Sequence, residues 1–147
     1  MKLRNYNIYY NKILDYCKVI DVTVYFKKEL NNAMFITKGR KIYIDPNFNE
    51  SEIIACLLHE LGHFIDDTLN NKQFDKLYEK AYKKMDKDRA LTKKEFNCIL
   101  MCEANAWTHG EVIAKKLKIP VGRWYYKTMQ NYLVSYFEVK TYKNIKG

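Results

Sequence analysis

A short stretch near the middle of the chain, residues 57–64, constrains the fold and the chemistry more than any other. It contains two histidines four positions apart, His59 and His63, with Glu60 directly after the first. In an α-helix, residues four apart lie on the same face, about one turn from each other. Both imidazoles can therefore reach one Zn²⁺ at about 2.0–2.1 Å, and Glu60 can accept a proton from an activated water. The stretch predicts a helix that carries two metal ligands and a general base.

The residues around this stretch predict that the helix is buried in a core. Apolar side chains recur at helical spacing, at Ile53, Ile54, Leu57, Leu58, Leu61 and Ile65. We expect the helix to begin near 49–51, with Asn49 and Glu52 as a capping pair, and to end near Leu69. Because glycine destabilises a helix interior, Gly62 indicates close approach of a strand or another helix. The alternative is a surface helix with two solvated histidines and a solvated glutamate.

A catalytic zinc needs a third protein ligand, and Glu103 is the best candidate in this sequence. A clear capping box, Thr92-Lys93-Lys94-Glu95, opens a predicted helix that runs to about residue 118. Glu103 lies on the apolar seam of that helix, one turn from Leu100 and one turn from Trp107. A carboxylate on a buried face is costly unless it is paired or coordinates a metal. The alternative is a glutamate at the rim of the seam that reaches water.

Two further residues are weaker candidates for the same site. The remaining histidine, His109, lies about 120° from the seam by helical geometry, so we expect it at a cleft rim or on the surface. It could stabilise an oxyanion, as could one of the 13 tyrosines, among which the sequence does not choose. Asp66 follows His63 by three positions and could accept a hydrogen bond from a ligand imidazole. The alternative for Asp66 is a helix-end aspartate that faces solvent.

The rest of the pattern predicts an α+β fold, with a small antiparallel three-stranded sheet packed on a mostly helical domain. Three short apolar segments with short connections indicate a meander of strands. We expect one domain over residues 1–147, ending in a frayed tail at 140–147. The predicted strands are 22–26, 33–37 and 41–45, and the further helices are 6–20, 74–85 and about 121–138.

Composition separates several classes of protein. Hydrophobic residues make up 48% of the chain, which indicates a globular protein rather than a disordered one. No apolar run approaches the roughly 18 residues of a membrane span, and the basic N-terminus leads into no apolar segment typical of a signal peptide. We therefore expect a cytoplasmic protein without a membrane partner. The four cysteines are expected as small buried side chains, with a metal site at Cys98 and Cys102 as a weak alternative.

The formal net charge of +9 has two interpretations. It could serve a nucleic-acid or acidic partner, with the lysines of residues 72–94 as the contact surface. It could also be compositional, because a chain rich in Lys, Asn, Ile and Tyr is typical of an AT-rich genome. The second interpretation is favoured here, since the sequence contains no helix-turn-helix or RNA-binding motif.

Two segments together resemble the ImmA/IrrE-like family of small zinc metallopeptidases. They are His59-Glu60-Leu61-Gly62-His63 and Glu103-Ala104-Asn105-Ala106-Trp107, and the resemblance covers about residues 5–120. It implies a zincin-like domain in which His59, His63 and Glu103 bind Zn²⁺. The strand Lys41–Asp45, followed by Pro46, is similar to the family's edge strand, along which a substrate could add as a further strand. Thr108-His109-Gly110 and the late Pro120 depart from the family pattern.

The resemblance implies a zinc-dependent endopeptidase with Glu60 as catalytic base. Its substrate would be a protein, for example a transcriptional repressor of a mobile genetic element such as a phage, and its activity could need a trigger. The first alternative is a metal-containing regulatory module that binds a protein without cutting it. The second is a basic nucleic-acid-binding protein, which predicts affinity that falls steeply with salt.

Overall fold

The computed structural model describes residues 2–28, 33–36, 40–68 and 72–138 of the chain. The predicted helices and strands are found within a few residues of their expected bounds, while the expected frayed tail at 140–147 lies outside the described residues. No helix in the described ranges combines the length and the apolar character that crossing a membrane requires. The elements are α1 Tyr6–Val19, β1 Thr23–Phe26, β2 Ala33–Ile36, β3 Lys41–Ile44, α2 Glu50–Thr68, α3 Lys72–Asp86, α4 Lys93–Lys116 and α5 Arg123–Glu138.

The predicted antiparallel meander is wrong, because the sheet is mixed. Its strand order is β1-β3-β2, with β2 antiparallel to β3 and β1 parallel to β3. Thr23 of β1 pairs with Lys41 of β3, and Ala33 of β2 pairs with Ile44. A connection of about six residues can span some 20 Å, whereas β1 and β2 lie only two strand spacings, about 9.6 Å, apart on either side of β3. Short connections therefore did not require sequential strands to be neighbours.

The strand that precedes the motif helix is the central strand of the sheet. Ile42 and Ile44 of β3 are fully buried, and β3 has a hydrogen-bonded neighbour on each side. The prediction that Lys41–Asp45 is an edge strand able to accept a substrate strand is therefore wrong. Within the described sheet, the outer strands are β1 and β2.

Helix α2 lies at the centre of the main core, which explains its nearly continuous apolar sequence. The residues of its middle turns, from Ile54 to Leu58, are fully buried. The core around α2 receives side chains from α1, the sheet, α4 and α5. An amphipathic helix with one neighbour needs only a stripe of apolar residues, whereas a helix covered on several sides needs them nearly all round.

Helices α2 and α4 approach each other backbone to backbone at two glycines. A Cβ atom on Gly62 would overlap the carbonyl group of Ala106, and one on Gly110 would lie 2.6 Å from the carbonyl oxygen of Leu58. The close approach expected at Gly62 is thus confirmed, and the neighbour is α4. Because each glycine faces the other helix, residues 59–63 of α2 lie directly against the middle of α4.

Side-chain caps fix where these two helices begin. Asn49 accepts a hydrogen bond from the backbone N–H of Glu52 through its Oδ1 (2.9 Å), as the predicted capping pair requires. Thr92 and Glu95 form the predicted capping box, with Thr92 Oγ1 accepting from Glu95 N–H at 3.1 Å. A fixed first turn sets the register of each helix, and therefore which side chains α2 and α4 present to one another.

Candidate metal centre

The two motif histidines and Glu103 meet at a single carboxylate oxygen. His59 Nε2 lies 2.9 Å and His63 Nε2 lies 3.0 Å from Glu103 Oε2. Tetrahedral zinc with bonds of about 2.0–2.1 Å separates its ligand atoms by about 3.3–3.4 Å. An outward movement of a few tenths of an ångström would therefore let these three atoms hold one Zn²⁺. The placement expected for Glu103 on the buried face of α4 is confirmed; its role as a metal ligand stays a prediction.

Burial and charge make these groups strongly interdependent. Glu103 and His59 are each about 5% exposed. Burial alone would raise the pKa of Glu103, but the charge of His63 and the hydrogen bonds from both imidazoles hold this pKa well below its usual range. Burial would lower the pKa of His59, but the hydrogen bonds to Glu103 and Glu60 raise it to about 9. Within the described residues, the cationic partners of Glu103 are the two histidines rather than a lysine or an arginine.

Glu60 occupies the other side of the first histidine. Its Oε1 lies 3.3 Å from His59 Nδ1, and the residue is 4% exposed. One potential ligand atom from each of His59, Glu60 and His63 lies within 4.8 Å of the others, so this trio could also hold a metal. We favour Glu103 as the ligand, because one of its oxygens reaches both Nε2 atoms. Glu60 therefore contacts the Nδ1 side of His59, and its carboxylate lies within 4.8 Å of a ring nitrogen of each histidine.

The second oxygen of Glu103 is held by two phenols of α3. Tyr82 and Tyr78 both donate hydrogen bonds to Glu103 Oε1, at 3.3 Å for Tyr78 and at a shorter distance for Tyr82. The hydroxyl of Tyr82 also lies 3.1 Å from the hydroxyl of Tyr136 on α5. Burial, together with the nearby carboxylate, raises the pKa of all three phenols, so they remain protonated.

The sequence reasoning missed these tyrosines, although a signal was present. Tyr78 and Tyr82 stand four residues apart on the apolar stripe of α3, where a hydroxyl needs a hydrogen-bond partner. The identity of that partner was not accessible from sequence, because α3 and Glu103 belong to different helices.

Trp107 fixes the ring of the first histidine. Its indole stacks on His59 with ring centroids 4.2 Å apart and an interplanar angle of 14°. Trp107 is 1% exposed, and its carbonyl accepts a hydrogen bond of 2.5 Å from the Tyr125 hydroxyl. Its Nε1 has no hydrogen-bond partner among the described residues. Sequence placed Trp107 on the buried seam of α4 but gave no sign that it restrains an imidazole.

The two weaker candidates pair with each other instead of joining the centre. His109 Nε2 lies 3.6 Å from Asp66 Oδ1, and both side chains are about one quarter exposed. No hydrogen bond among the described residues joins either of them to His59, His63 or Glu103. The structure therefore does not place Asp66 as an acceptor for a ligand imidazole. His109 lies at the rim of the α2–α4 contact, where sequence placed it.

Comparison with known proteins gives no match to a family model, to a curated protein or to a solved structure. The donor atoms of the site therefore carry the information about its chemistry. Two imidazoles and one carboxylate, with a fourth position left open, are typical of hydrolytic zinc sites. The four cysteines, by contrast, all lie in the described part of the chain, are buried and form no disulfide.

Proposed function

We propose that this protein is a zinc-dependent endopeptidase of the ImmA/IrrE-like kind. The observation that carries the proposal is the convergence of two Nε2 atoms on one buried carboxylate oxygen, with a second carboxylate beside them. Bound zinc would supply a Lewis acid that polarises an amide carbonyl and activates water. Both the donor set and its buried position support a metal centre over a surface cluster of polar residues.

Side chains of the protein would bind the ion, orient a ligand and transfer the proton. His59, His63 and Glu103 would hold the ion, and the stacked indole of Trp107 would keep the His59 ring in its orientation. Glu60 would accept the proton of the attacking water and pass it to the leaving amine. Its carboxylate lies within 4.8 Å of a ring nitrogen of each histidine, a gap that one water molecule can bridge, which supports this role.

The proposed substrate is a protein, with transcriptional repressors of mobile genetic elements as the first group to test. The resemblance of residues 59–63 and 103–107 to the family supports this choice. A substrate that binds by strand addition would need an outer strand of the sheet, β1 or β2.

The sharpest test separates zinc binding from cleavage. We expect purified wild-type protein to bind one zinc ion and to cut peptides in a library prepared from a cellular proteome, with products identified by mass spectrometry. Glu60→Gln should keep the zinc but cleave at least about 100-fold more slowly, because the general base is lost. Glu79→Gln, on the exposed face of α3, is the matched control and should cleave like wild type.

Three outcomes would contradict the proposal or a part of it. Wild-type protein that binds no zinc would remove the metal centre altogether. Zinc-loaded protein that captures a partner and leaves it uncut would instead favour a regulatory binding module. Undiminished cleavage by Glu60→Gln would reject the assignment of the base.

A further inference from the structure

The hydrogen bonds behind Glu103 connect three helices. Oε2 of Glu103 faces the imidazoles, while Oε1 accepts from Tyr82, and the Tyr82 hydroxyl lies 3.1 Å from that of Tyr136. This chain of contacts joins α4 to α3 and then to α5. Tyr136 lies beyond residues 5–120, the part of the chain that carries the resemblance, so the resemblance does not predict it.

We propose that Tyr82 positions Glu103 for the metal and that Tyr136 positions Tyr82. The inference rests on the proposed zinc centre. A glutamate has three rotatable bonds, and a ligand oxygen is useful only if it stays where the two Nε2 atoms converge. Tyr82 restrains the carboxylate by bonding the oxygen that the metal does not need. The division of the two oxygens between different partners is what distinguishes this arrangement from a simple buried hydrogen bond.

The contacts of the three phenols predict that their hydroxyl groups contribute unequally to zinc affinity. Tyr82 makes the shorter bond to Oε1, whereas the Tyr78 hydroxyl lies 3.3 Å from the same atom. Tyr136 makes a 3.1 Å bond to Tyr82, and its own hydrogen-bond interaction with Glu103 is the weaker of the two, so most of its influence should pass through Tyr82. Loss of a hydrogen bond that orients a metal ligand typically lowers metal affinity by about 10–100-fold. We therefore expect Tyr82→Phe to have the largest effect and Tyr136→Phe a smaller one.

The experiment compares conservative variants that remove only a hydroxyl. Zinc affinity is measured by competition with a chromophoric chelator, and the cobalt-substituted protein is compared by its visible absorption spectrum. Tyr82→Phe should lose about 10–100-fold in zinc affinity and shift the cobalt bands, since the ligand geometry changes. Tyr132→Phe is the matched control on α5, because its hydroxyl contacts Cys56 Sγ (3.3 Å) in the core, and it should bind zinc like wild type.

A double-mutant cycle tests the order of the contacts. If Tyr136 acts through Tyr82, the double variant should bind zinc no more weakly than Tyr82→Phe alone. Unfolding of the metal-free variants in urea shows whether the fold itself is lost. Should Tyr82→Phe fail to fold, the Tyr136→Phe and Tyr132→Phe pair still decides the question through zinc affinity and the cobalt spectrum.

The possible failures are distinguishable. A Tyr82→Phe protein whose zinc affinity and cobalt spectrum equal those of wild type would overturn this inference and leave the zinc centre intact. Equal losses in Tyr136→Phe and Tyr132→Phe would also overturn it, because they would indicate a general effect of α5 packing. A wild-type protein that binds no zinc would overturn both this inference and the proposed function.

Discussion

Helix α4 carries two buried glutamates, Glu95 in its first turn and Glu103 two turns later, and they are stabilised in different ways. Glu95 is 2% exposed, and its Oε1 accepts from Lys84 Nζ at 2.7 Å and from the backbone N–H of Thr92 at 2.9 Å. Its Oε2 has no hydrogen-bond partner among the described residues. Glu103 has partners on both oxygens, and they are imidazoles and phenols.

This difference shows how a structural carboxylate can be told from a candidate ligand. Glu95 is neutralised by a lysine and lies at a helix N-terminus, where its charge is favoured, so its burial is explained within the fold. The cationic groups next to Glu103 are histidines, which are themselves good metal ligands when neutral. Burial alone therefore did not identify the site; the chemical nature of the partners did.

The largest expected effect is on zinc affinity, in which variants of the two glutamates should differ most. Glu103→Gln should lower zinc affinity by more than about 100-fold, since even outer partners of a ligand are worth about 10–100-fold. Glu95→Gln, on the same helix, should bind zinc like wild type. Chelator competition on both proteins measures the contrast. Equal affinities for Glu103→Gln and wild type would remove Glu103 from the centre.

A second test places a methyl group in the close contact between α2 and α4. Gly62→Ala should destabilise the protein by about 3 kcal/mol and weaken zinc binding, because the new methyl group would overlap the Ala106 carbonyl. Glu95, in the first turn of α4 and away from Ala106, should keep its contacts. Gly122→Ala is the control, since the added Cβ would lie 3.7 Å from Trp124 in ordinary contact. A Gly62→Ala protein as stable as Gly122→Ala would contradict the close helix approach.

The structural role of Glu95 is tested by its own removal. Glu95→Gln should lower the free energy of unfolding by about 1–3 kcal/mol, since it weakens the capping box and leaves Lys84 without its charged partner. Urea unfolding of the metal-free protein measures the change. If Lys84→Met has the same effect and the two losses are not additive, the ion pair is the cause.

The smallest effect concerns the pH dependence of stability, which has opposite signs for Glu95 and for His59. Burial raises the pKa of Glu95, but the hydrogen bonds from Lys84 and Thr92 together lower this pKa by more, so the net shift is downward. Its contribution to stability is therefore present above about pH 4.5 and is lost as the pH falls through the folded-state pKa. The pKa of His59 is raised from 6.5 to about 9, so its contribution is complete below pH 6.5 and is lost as the pH rises through 9.

Unfolding of the metal-free protein across pH measures both slopes. Glu95→Gln should flatten the acid side only. Glu103→Gln should flatten the acid side as well, because its own pKa is lowered, and it alone should flatten the alkaline side because it removes the main partner of His59. An alkaline slope that is unchanged in Glu103→Gln would show that this carboxylate does not hold the His59 proton.

Local patterns of residues predicted the helices and most of the candidate centre. The four-residue spacing of His59 and His63 and the seam position of Glu103 follow from helical periodicity, which is a property of the nearby sequence. The caps at Asn49 and Thr92 are also local, and both are present. The resemblance and the peptidase activity stay predictions, since no structural observation of the fold by itself tests them.

What the sequence alone determined is which residues share a face of a helix, because that depends on neighbours a few positions away. What the tertiary structure decided is how elements far apart in the chain meet. The mixed sheet with β3 at its centre, the phenols of α3 and α5 behind Glu103, and the pairing of Asp66 with His109 are all of this kind. Such contacts depend on how helices and strands pack against one another, and periodicity within one element carries no information about its partner.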